Sequence, residues 1–179
     1  MRVLDLGCGS GRDLASWGVT ASDQVTGVDI DNTCLLTAKA RFCNRLYVQG
    51  RGECLPFGNE SFDRVVSAVA LPYMDIPKTL AEVQRILVPG GRLCLSLHPL
   101  SFTIRELLHN AIPKPTPTLF RLYVLTNGLF LHSTGRNIRF LRGRTESFQT
   151  QRGVRKNTPR LGSDTEKNFA ASCSIRRRR

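Results

Sequence analysis

Short apolar runs recur through the first hundred residues and are separated by stretches with helical character. Strands are expected to be bounded by glycines or turn residues, and the runs are short enough to be buried strands rather than helices. Five such strands are predicted: Val3–Leu6, Val25–Ile30, Arg45–Gln49, Phe62–Ala68 and Arg92–Leu97. Strands that alternate with helices of this length indicate βαβ units with right-handed crossovers. The pattern therefore predicts an α/β fold, a Rossmann-like and mainly parallel sheet with flanking helices, whose C-terminal strands the pattern leaves undefined.

The helices between these strands are predicted from caps and periodicity. One is expected over about residues 11–17, and a second from a cap at Asp31 or Asn32 to about residue 42. The strongest pattern comes after Asp75, a candidate cap, with Pro77 in the first helical turn. Apolar residues then recur at steps of four, three and four along one face, at Ile76, Leu80, Val83 and Leu87. The run Pro89-Gly90-Gly91 is expected to end this helix.

The pattern loosens after Pro99. A short helix is predicted from a cap at Ser101 or Thr103 to Asn110, then prolines, then a helix over about residues 119–132. From Gly135 onward little periodicity remains. We therefore expect a folded domain over residues 1–135, with its core at 2–98, and a poorly ordered or divergent tail over 136–179.

The charge is divided in the same way. Residues 1–100 carry ten basic and ten acidic side chains, whereas residues 101–179 carry sixteen and four, so the whole net charge of +12 lies in the second part. Solvated arginines are the favoured interpretation of the basic tail. Contact with nucleic acid or an acidic lipid is the alternative, although the tail lacks the closely interleaved aromatics of many RNA-binding surfaces.

Composition excludes several classes of protein. No run approaches the roughly 20 apolar residues that a transmembrane helix needs, and the N-terminus does not resemble a signal peptide. The six cysteines form no C-x-x-C pair and do not cluster with the three histidines, so no metal site is predicted. Free thiols in a reducing cytoplasm are the expectation.

Three closely spaced glycines, Gly7, Gly9 and Gly11, lie directly after the first strand. A glycine triplet alone is weak evidence, but the carboxyl end of a parallel strand is where open α/β sheets bind ligands. The spacing G-x-G-x-G differs from the G-x-G-x-x-G of dinucleotide sites. Asp29 ends the second strand, 18 residues after Gly11, where an acid can accept from both ribose hydroxyls. Its structural alternative is a helix cap, a role that Asp31 or Asn32 can fill. Loop and acid together favour a nucleoside ligand without a pyrophosphate.

Four segments in order carry a family resemblance: VLDLGCGSGRDL, VTGVDID, GRGECLPFGNESFDRVVS and LAEVQRILVPGGRLCLS. Over about residues 2–98 the chain resembles class I S-adenosylmethionine-dependent methyltransferases. Within that class it looks most like the ubiquinone/menaquinone-biosynthesis branch, methyltransferase domain type 11. The resemblance implies S-adenosylmethionine as cofactor and a small molecule as methyl acceptor.

The resemblance also implies roles for individual residues. The loop would run along the methionine part of the cofactor, Asp5 would order the loop and assist at the amino group, and Asp29 would bind the ribose. Ile30 would pack on the adenine, Glu53 would lie near it, and the stretch beginning at Ser67 would line the pocket floor. The implied cofactor-binding residues are Asp5, Gly7, Cys8, Gly9, Gly11, Asp29, Ile30, Glu53 and Ser67.

Three features depart from the family pattern. Arg51 stands where the family often has an acid that accepts from the adenine amino group, and an arginine cannot accept. The first strand begins almost at Met1, and the family's last strands are not evident, residues 168–175 being the sole candidate. We therefore expect an N-terminal truncation and a divergent C-terminus.

Methyl transfer from a sulfonium needs mainly positioning and exclusion of water, and a general base only for some acceptors. His98, Tyr73 and Asp75 are candidates for that base. For each the structural interpretation is favoured: a loop residue, a pocket wall and a helix cap. The leading hypothesis is a methyltransferase acting on a small molecule. The alternatives are a catalytically inactive remnant, and an RNA-binding or RNA-modifying protein that uses the basic tail. The acceptor and the oligomeric state cannot be inferred from the sequence.

Overall fold

The computed structural model describes residues 1–12, 14–96, 115–136, 138 and 146–147. Within them, five strands form one parallel sheet in the order β3-β2-β1-β4-β5. The strands are β1 (Arg2–Leu6), β2 (Gln24–Asp29), β3 (Leu46–Gln49), β4 (Phe62–Ala68) and β5 (Leu87–Ser96). The predicted Rossmann-like α/β fold is thus confirmed. The strand order reverses beside β1, which pairs with β2 on one side and β4 on the other.

The connection from β1 to β2 contains no α-helix among its described residues, so the helix predicted over residues 11–17 is wrong. A single 3₁₀ turn, Ala15–Trp17, stands in its place. Gly11 and Gly18 have φ angles of 81° and 70°, outside the helical region, and they leave less than two turns of helix between them. So short a segment gains too few hydrogen bonds to offset the cost of nucleating a helix.

Two helices are capped as the sequence predicts. Helix α1 (Asn32–Arg41) begins at Asp31, whose side chain accepts from the N–H groups of Thr33 and Cys34. Helix α2 (Ile76–Ile86) begins at Asp75, whose side chain accepts from the N–H of Lys78.

The end of α2 differs from the prediction. The helix stops at Ile86 and Leu87 already belongs to β5, so Leu87 is not part of the helical face. The run Pro89-Gly90-Gly91 lies within the strand, where it forms an irregularity: Phe62 pairs with Leu87, yet Arg64 pairs with Arg92. Glycine permits the φ of 79° found at Gly90.

The apolar core consists of two clusters, and neighbouring residues of the central strands belong to different ones. Val3 belongs to one cluster and Leu4 to the other, as do Val66 and Val65. This alternation is what a sheet buried on both faces requires. The larger cluster includes the apolar face of α2, namely Ile76, Leu80, Val83 and Ile86. The smaller one includes Leu14 and Val19 from the β1–β2 connection.

A third helix, α3 (Pro115–Thr134), begins before the predicted residue 119. Pro115 and Pro117 lie in its first turn, where the backbone N–H groups have no intrahelical partner, so prolines are tolerated there. Leu131 anchors the helix in the larger core cluster. No helix among the described residues has the length and apolar character needed to cross a membrane. Two predictions fall outside the described residues: the helix that ends at Asn110, and the position of His98. Of the basic tail, residues 136–179, the structure describes only four residues, so the division into domain and tail stays a prediction.

Candidate functional site

The glycine loop after β1 is shaped by three left-handed residues. Gly7, Gly9 and Gly11 have φ angles of 70°, 53° and 81°. Two of them are also tightly packed, since a Cβ on Gly7 would collide with the Cβ of Ala70 and one on Gly11 would come within 3.0 Å of Phe42. A Cβ on Gly9 would meet nothing within 4 Å. Gly9 therefore faces open space, and a ligand could use it.

The loop is fastened to the end of β2. The N–H groups of Gly7 and Cys8 both donate to the carbonyl oxygen of Val28, at 2.8 and 3.1 Å. The N–H of Gly9 donates to Oδ2 of Asp29 at 2.8 Å, and the N–H of Asp31 donates to Oδ1 at 3.0 Å. Asp29 is thus not the cap of α1 but the residue that joins the loop to β2. A carboxylate has about four acceptor positions, so Asp29 can still accept from two further hydroxyls.

An open cleft of about 210 Å³ lies at the carboxyl edge of the sheet. The segments that come after β1, β2, β3 and β4 all contribute to it, at the switch point where open α/β sheets bind ligands. Its lining residues are Leu6, Gly7, Val28, Asp29, Ile30, Gly50, Arg51, Gly52, Glu53, Ala70, Tyr73 and Met74. Ile30 and Tyr73 are 57% and 55% exposed, so each presents side-chain surface at the cleft that a flat ring could contact.

The floor of the cleft includes a strained turn after β4. Val69 has a φ of 68°, an outlier for a β-branched residue, while its N–H donates to the carbonyl of Ser96 at 3.2 Å. Such strain is often found where a site is built. Here the turn brings Ala70 against Gly7.

The loop after β3 is held by α2. Oε1 of Glu53 accepts from the N–H of Asp75 at 2.9 Å, and Oε2 lies 3.8 Å from Nε of Arg51. Farther along, Arg85 donates to the carbonyls of Leu55 and Phe57 at 3.1 and 2.8 Å. The loop that carries Arg51 and Glu53 is therefore fixed to a helix of the core.

Asp5 lies on β1 and is 1% exposed. Burial is the main reason why the pKa of its carboxyl is raised to about 6; Arg12 and Arg45 oppose the rise, and Asp29 adds to it. Nε of Arg12 lies 4.0 Å from Oδ2, and Oδ1 has no hydrogen-bond partner among the described residues. A buried carboxylate this poorly satisfied needs an explanation beyond packing.

The structure brings some of the predicted cofactor-binding residues together and separates others. Gly7, Asp29, Ile30 and Glu53 line one cleft. Ser67 does not: its side chain is fully buried within β4, and Ala70 occupies the floor instead. The chain reaches this cleft only after the turn at Val69, and the role expected of the stretch from Ser67 stays a prediction.

Cys8, Gly9 and Gly11 belong to the loop and Asp5 to β1, but none of the four is among the residues that line the cleft. Cys8 is 2% exposed, and burial is the main cause that raises the pKa of its thiol to about 12, with Asp5 and Asp29 adding to the effect. Its sulfur therefore stays protonated and packs as an apolar group.

The three candidates for a general base have different positions. Tyr73 lines the cleft, and Asp75 caps α2 and contacts Glu53 through its backbone. His98 lies outside the described residues. The sequence had not indicated Met74, Gly50 or Gly52 as lining residues; the two glycines of the run GRGE were the available signal, since each leaves room for a neighbouring side chain.

All the residues that line the cleft lie within the part of the chain that is similar to known proteins. Residues 4–95 match the family model of the methyltransferase domain. The chain is 35% identical over 97 residues to malonyl-[acyl-carrier protein] O-methyltransferase of Erwinia pyrifoliae, covering 54% of this chain and 37% of that protein. It is 40% identical over 100 residues to an uncharacterized methyltransferase of Synechocystis, covering 52% and 45%. The chain thus spans less than half the length of these relatives.

A solved S-adenosylmethionine-dependent methyltransferase from Methanosarcina mazei has the same fold. It superposes with a TM-score of 0.59 over 87% of this chain and 76% of that one, at 20% identity. At this identity the likeness concerns the fold alone.

Proposed function

This chain belongs to the methyltransferase domain family, and on that premise we propose that it binds S-adenosylmethionine in the cleft and transfers the methyl group to a small-molecule acceptor. One observation carries the proposal: Asp29 ends β2 at the cleft and is held in place by the N–H of Gly9 from the loop opposite. A fixed carboxylate beside an open glycine loop is a ribose-binding arrangement.

The residues present fit the cofactor. The remaining acceptor positions of Asp29 suit the two ribose hydroxyls, and Ile30 and Tyr73 offer exposed apolar surface at the same cleft for the adenine. The open space in front of Gly9 suits the methionine part, and Oδ1 of Asp5, which has no hydrogen-bond partner among the described residues, is an acceptor placed behind the loop. Arg51 cannot accept from the adenine amino group, so backbone carbonyls of the β3 loop would do so.

The volume of the cleft fits part of the cofactor. Sites for drug-sized ligands occupy about 300–1,000 Å³, more than the 210 Å³ enclosed here. We infer that the described residues enclose the nucleoside and that other segments cover the methyl donor and the acceptor.

When bound, S-adenosylmethionine supplies the electrophilic methyl group. The chain's own residues would bind the nucleoside, orient the loop and exclude water from the donor side. Some relatives are named as O-methyltransferases: one acts on malonyl-[acyl-carrier protein], and another comes from the fungus Aspergillus sclerotiorum. These names support an oxygen atom as the methyl acceptor. The cysteine spacing supports a reducing cytoplasm as the place of action.

The cofactor proposal is tested by calorimetry with S-adenosylhomocysteine and its 2′-deoxy analogue. The unaltered chain should prefer the ribose form. Asp29→Ala should weaken binding of that form by roughly 30- to 150-fold, because hydrogen bonds to a charged group contribute about 2–3 kcal/mol in sum. It should also abolish the preference. Asp31→Ala, which removes the cap of α1, is the matched control and should leave the preference intact. Absence of binding by the unaltered chain at millimolar ligand would refute the cofactor proposal.

The acceptor proposal needs a separate experiment. Cofactor labelled in its methyl group is incubated with the chain and separate pools of small metabolites, RNA and protein. Label should pass to the small metabolites. Label in RNA alone would favour the nucleic-acid alternative, and binding without turnover in any pool would favour an inactive remnant.

A further inference from the structure

The backbone of the β1–β2 connection is held by arginines from elsewhere in the fold. Nη1 of Arg41 lies 3.3 Å from the carbonyl oxygens of both Ser10 and Gly11. Nη1 of Arg45 donates to the carbonyl of Arg12 at 2.7 Å. At the far end of the connection, Arg64 donates to the carbonyls of Trp17 and Gly18 at 3.0 and 3.4 Å.

These carbonyls lack intrahelical partners because the described part of the connection contains no α-helix. In a helix starting at the glycine loop, the carbonyls of residues 10–12 would accept from N–H groups four residues later. Here the 3₁₀ turn begins only at Ala15, so those N–H groups are not supplied in helical register. Guanidinium groups satisfy the carbonyls instead, and each bond is charge-assisted.

Arg45 is itself fixed in place. Its guanidinium carbon lies 4.0 Å from the centroid of the Phe42 ring, a cation–π contact, and its charge lowers the pKa of Asp5. Phe42 also approaches the position where a Cβ on Gly11 would lie. The side chain of Arg45 therefore links the end of α1, the last part of the glycine loop and the buried carboxylate of Asp5.

We propose that Arg41 and Arg45 are positioning residues that hold the glycine loop in its ordered form and thereby set the affinity for the cofactor. The affinity part rests on the function proposed above. Neither residue lines the cleft, so both act through the loop rather than on the ligand.

The loop is tested first without any ligand. Hydrogen exchange is measured by mass spectrometry on a peptide covering residues 6–14, and on one from β4 as the reference for global unfolding. Arg41→Met together with Arg45→Met should speed exchange of the loop peptide about tenfold, equivalent to about 1.4 kcal/mol of lost protection, while the β4 peptide changes less. Lys39→Met is the control: it removes one positive charge from the helix that carries Arg41, is exposed, and should leave the loop unchanged.

Conservative variants separate charge from geometry. Arg45→Lys keeps a charge near Asp5 but replaces the planar fork with a single ammonium. We expect loop exchange between that of the unaltered chain and that of Arg45→Met. These variants also serve if the double variant fails to fold.

The second measurement is calorimetry with S-adenosylhomocysteine on the same variants. Binding about tenfold weaker in Arg45→Met, and unchanged in Lys39→Met, is expected. Faster loop exchange with unchanged affinity would overturn the positioning role, and unchanged loop exchange would overturn the proposal altogether. If the unaltered chain binds no S-adenosylhomocysteine, the proposed function fails, while the exchange experiment still decides whether the arginines hold the loop.

Discussion

Replacing Asp5 by asparagine should make this protein more stable at neutral pH and weaken its binding of cofactor. The carboxyl group of Asp5 is buried on β1, its Oδ1 has no partner in the part of the chain that the structure describes, and the nearest cation, Nε of Arg12, is 4.0 Å from Oδ2. Asparagine has the same shape without the charge. The substitution therefore removes the cost of burying an ion and changes the packing little.

The magnitude is set by the pKa. Burial raises the pKa of Asp5 from 3.8 to about 6. Each unit corresponds to 1.36 kcal/mol, so the ionised carboxylate costs the folded state about 3 kcal/mol at neutral pH. Between pH 4 and 6 the folded state holds a proton on Asp5 that the unfolded chain has released. Stability therefore falls as the pH rises through this window, and the loss is complete above it.

The assay is urea unfolding of the unaltered chain and of Asp5→Asn from pH 4 to 8. The free-energy difference should favour the variant by about 3 kcal/mol at pH 7.5 relative to its value at pH 4. Asp63→Asn is a control of opposite sign. Hydrogen bonds from the backbone and side chain of Arg2 lower the pKa of Asp63, so that variant loses stability at neutral pH and recovers the loss as the pH falls.

A difference between Asp5→Asn and the unaltered chain that stays constant from pH 4 to 7 would refute this reasoning. So would a variant that is the less stable of the two at pH 7.5. The functional expectation is separate: S-adenosylhomocysteine should bind the variant more weakly despite its greater stability, a pattern typical of residues kept for function. Equal affinity would remove Asp5 from the binding machinery.

Four further substitutions test the site. Gly9→Ala should lower the free energy of unfolding by about 1–2 kcal/mol because the φ of Gly9 is left-handed. That variant should still fold, and calorimetry should show weaker cofactor binding. Gly7→Ala should fail to fold, as seen by circular dichroism, because its Cβ would collide with Ala70. Arg85→Met should lower the melting temperature by leaving two loop carbonyls without their donor, at a cost of about 1–3 kcal/mol; an unchanged melting temperature would contradict this. Val69→Gly should be neutral or stabilising in urea unfolding, since relief of strain of about 1–3 kcal/mol offsets the entropy of glycine; a clear loss would show that the turn is unstrained.

The sheet could be predicted because its central strands are buried on both faces, which makes the short apolar runs of β1 and β4 easy to recognise. The caps at Asp31 and Asp75 were equally evident, since their side chains bond locally. The helix expected after Gly11 failed because local periodicity does not register the φ angles of the glycines that bound it. The assignment of Leu87 to α2 was wrong for a related reason. This apolar residue fits both the face of α2 and the start of β5, and only its pairing with Phe62 places it in the strand.

For the candidate site too, features set by local sequence could be predicted, whereas those set by tertiary contacts could not. Asp29 and the glycine loop could be predicted because each is defined by residue type at a fixed place relative to a strand. Ser67 lies outside the lining because the chain reaches the cleft only after the turn at Val69, and no typical turn-forming residue at that position predicts the turn. Arg41 and Arg45 gave no signal, because an arginine on an exposed helix end has the same appearance in sequence whether it is solvated or bonded to a distant carbonyl.

Three arginines in the first hundred residues, whose net charge is zero, have the same structural role: each donates to backbone carbonyls of a loop. Arg41 and Arg45 hold the glycine loop, and Arg85 holds the loop after β3. Both loops border the cleft at other residues, and the carbonyls that the arginines bind lie outside helices and strands, so they accept from side chains elsewhere in the fold. A guanidinium has several donors in a fixed plane and can satisfy more than one carbonyl without entering the cleft. Anchoring is thereby separated from ligand contact, since the three arginines that fix the loops lie on helices of the core or close to their ends and do not line the cleft. The lining consists of glycines, Asp29, Arg51, Glu53, Tyr73 and apolar side chains.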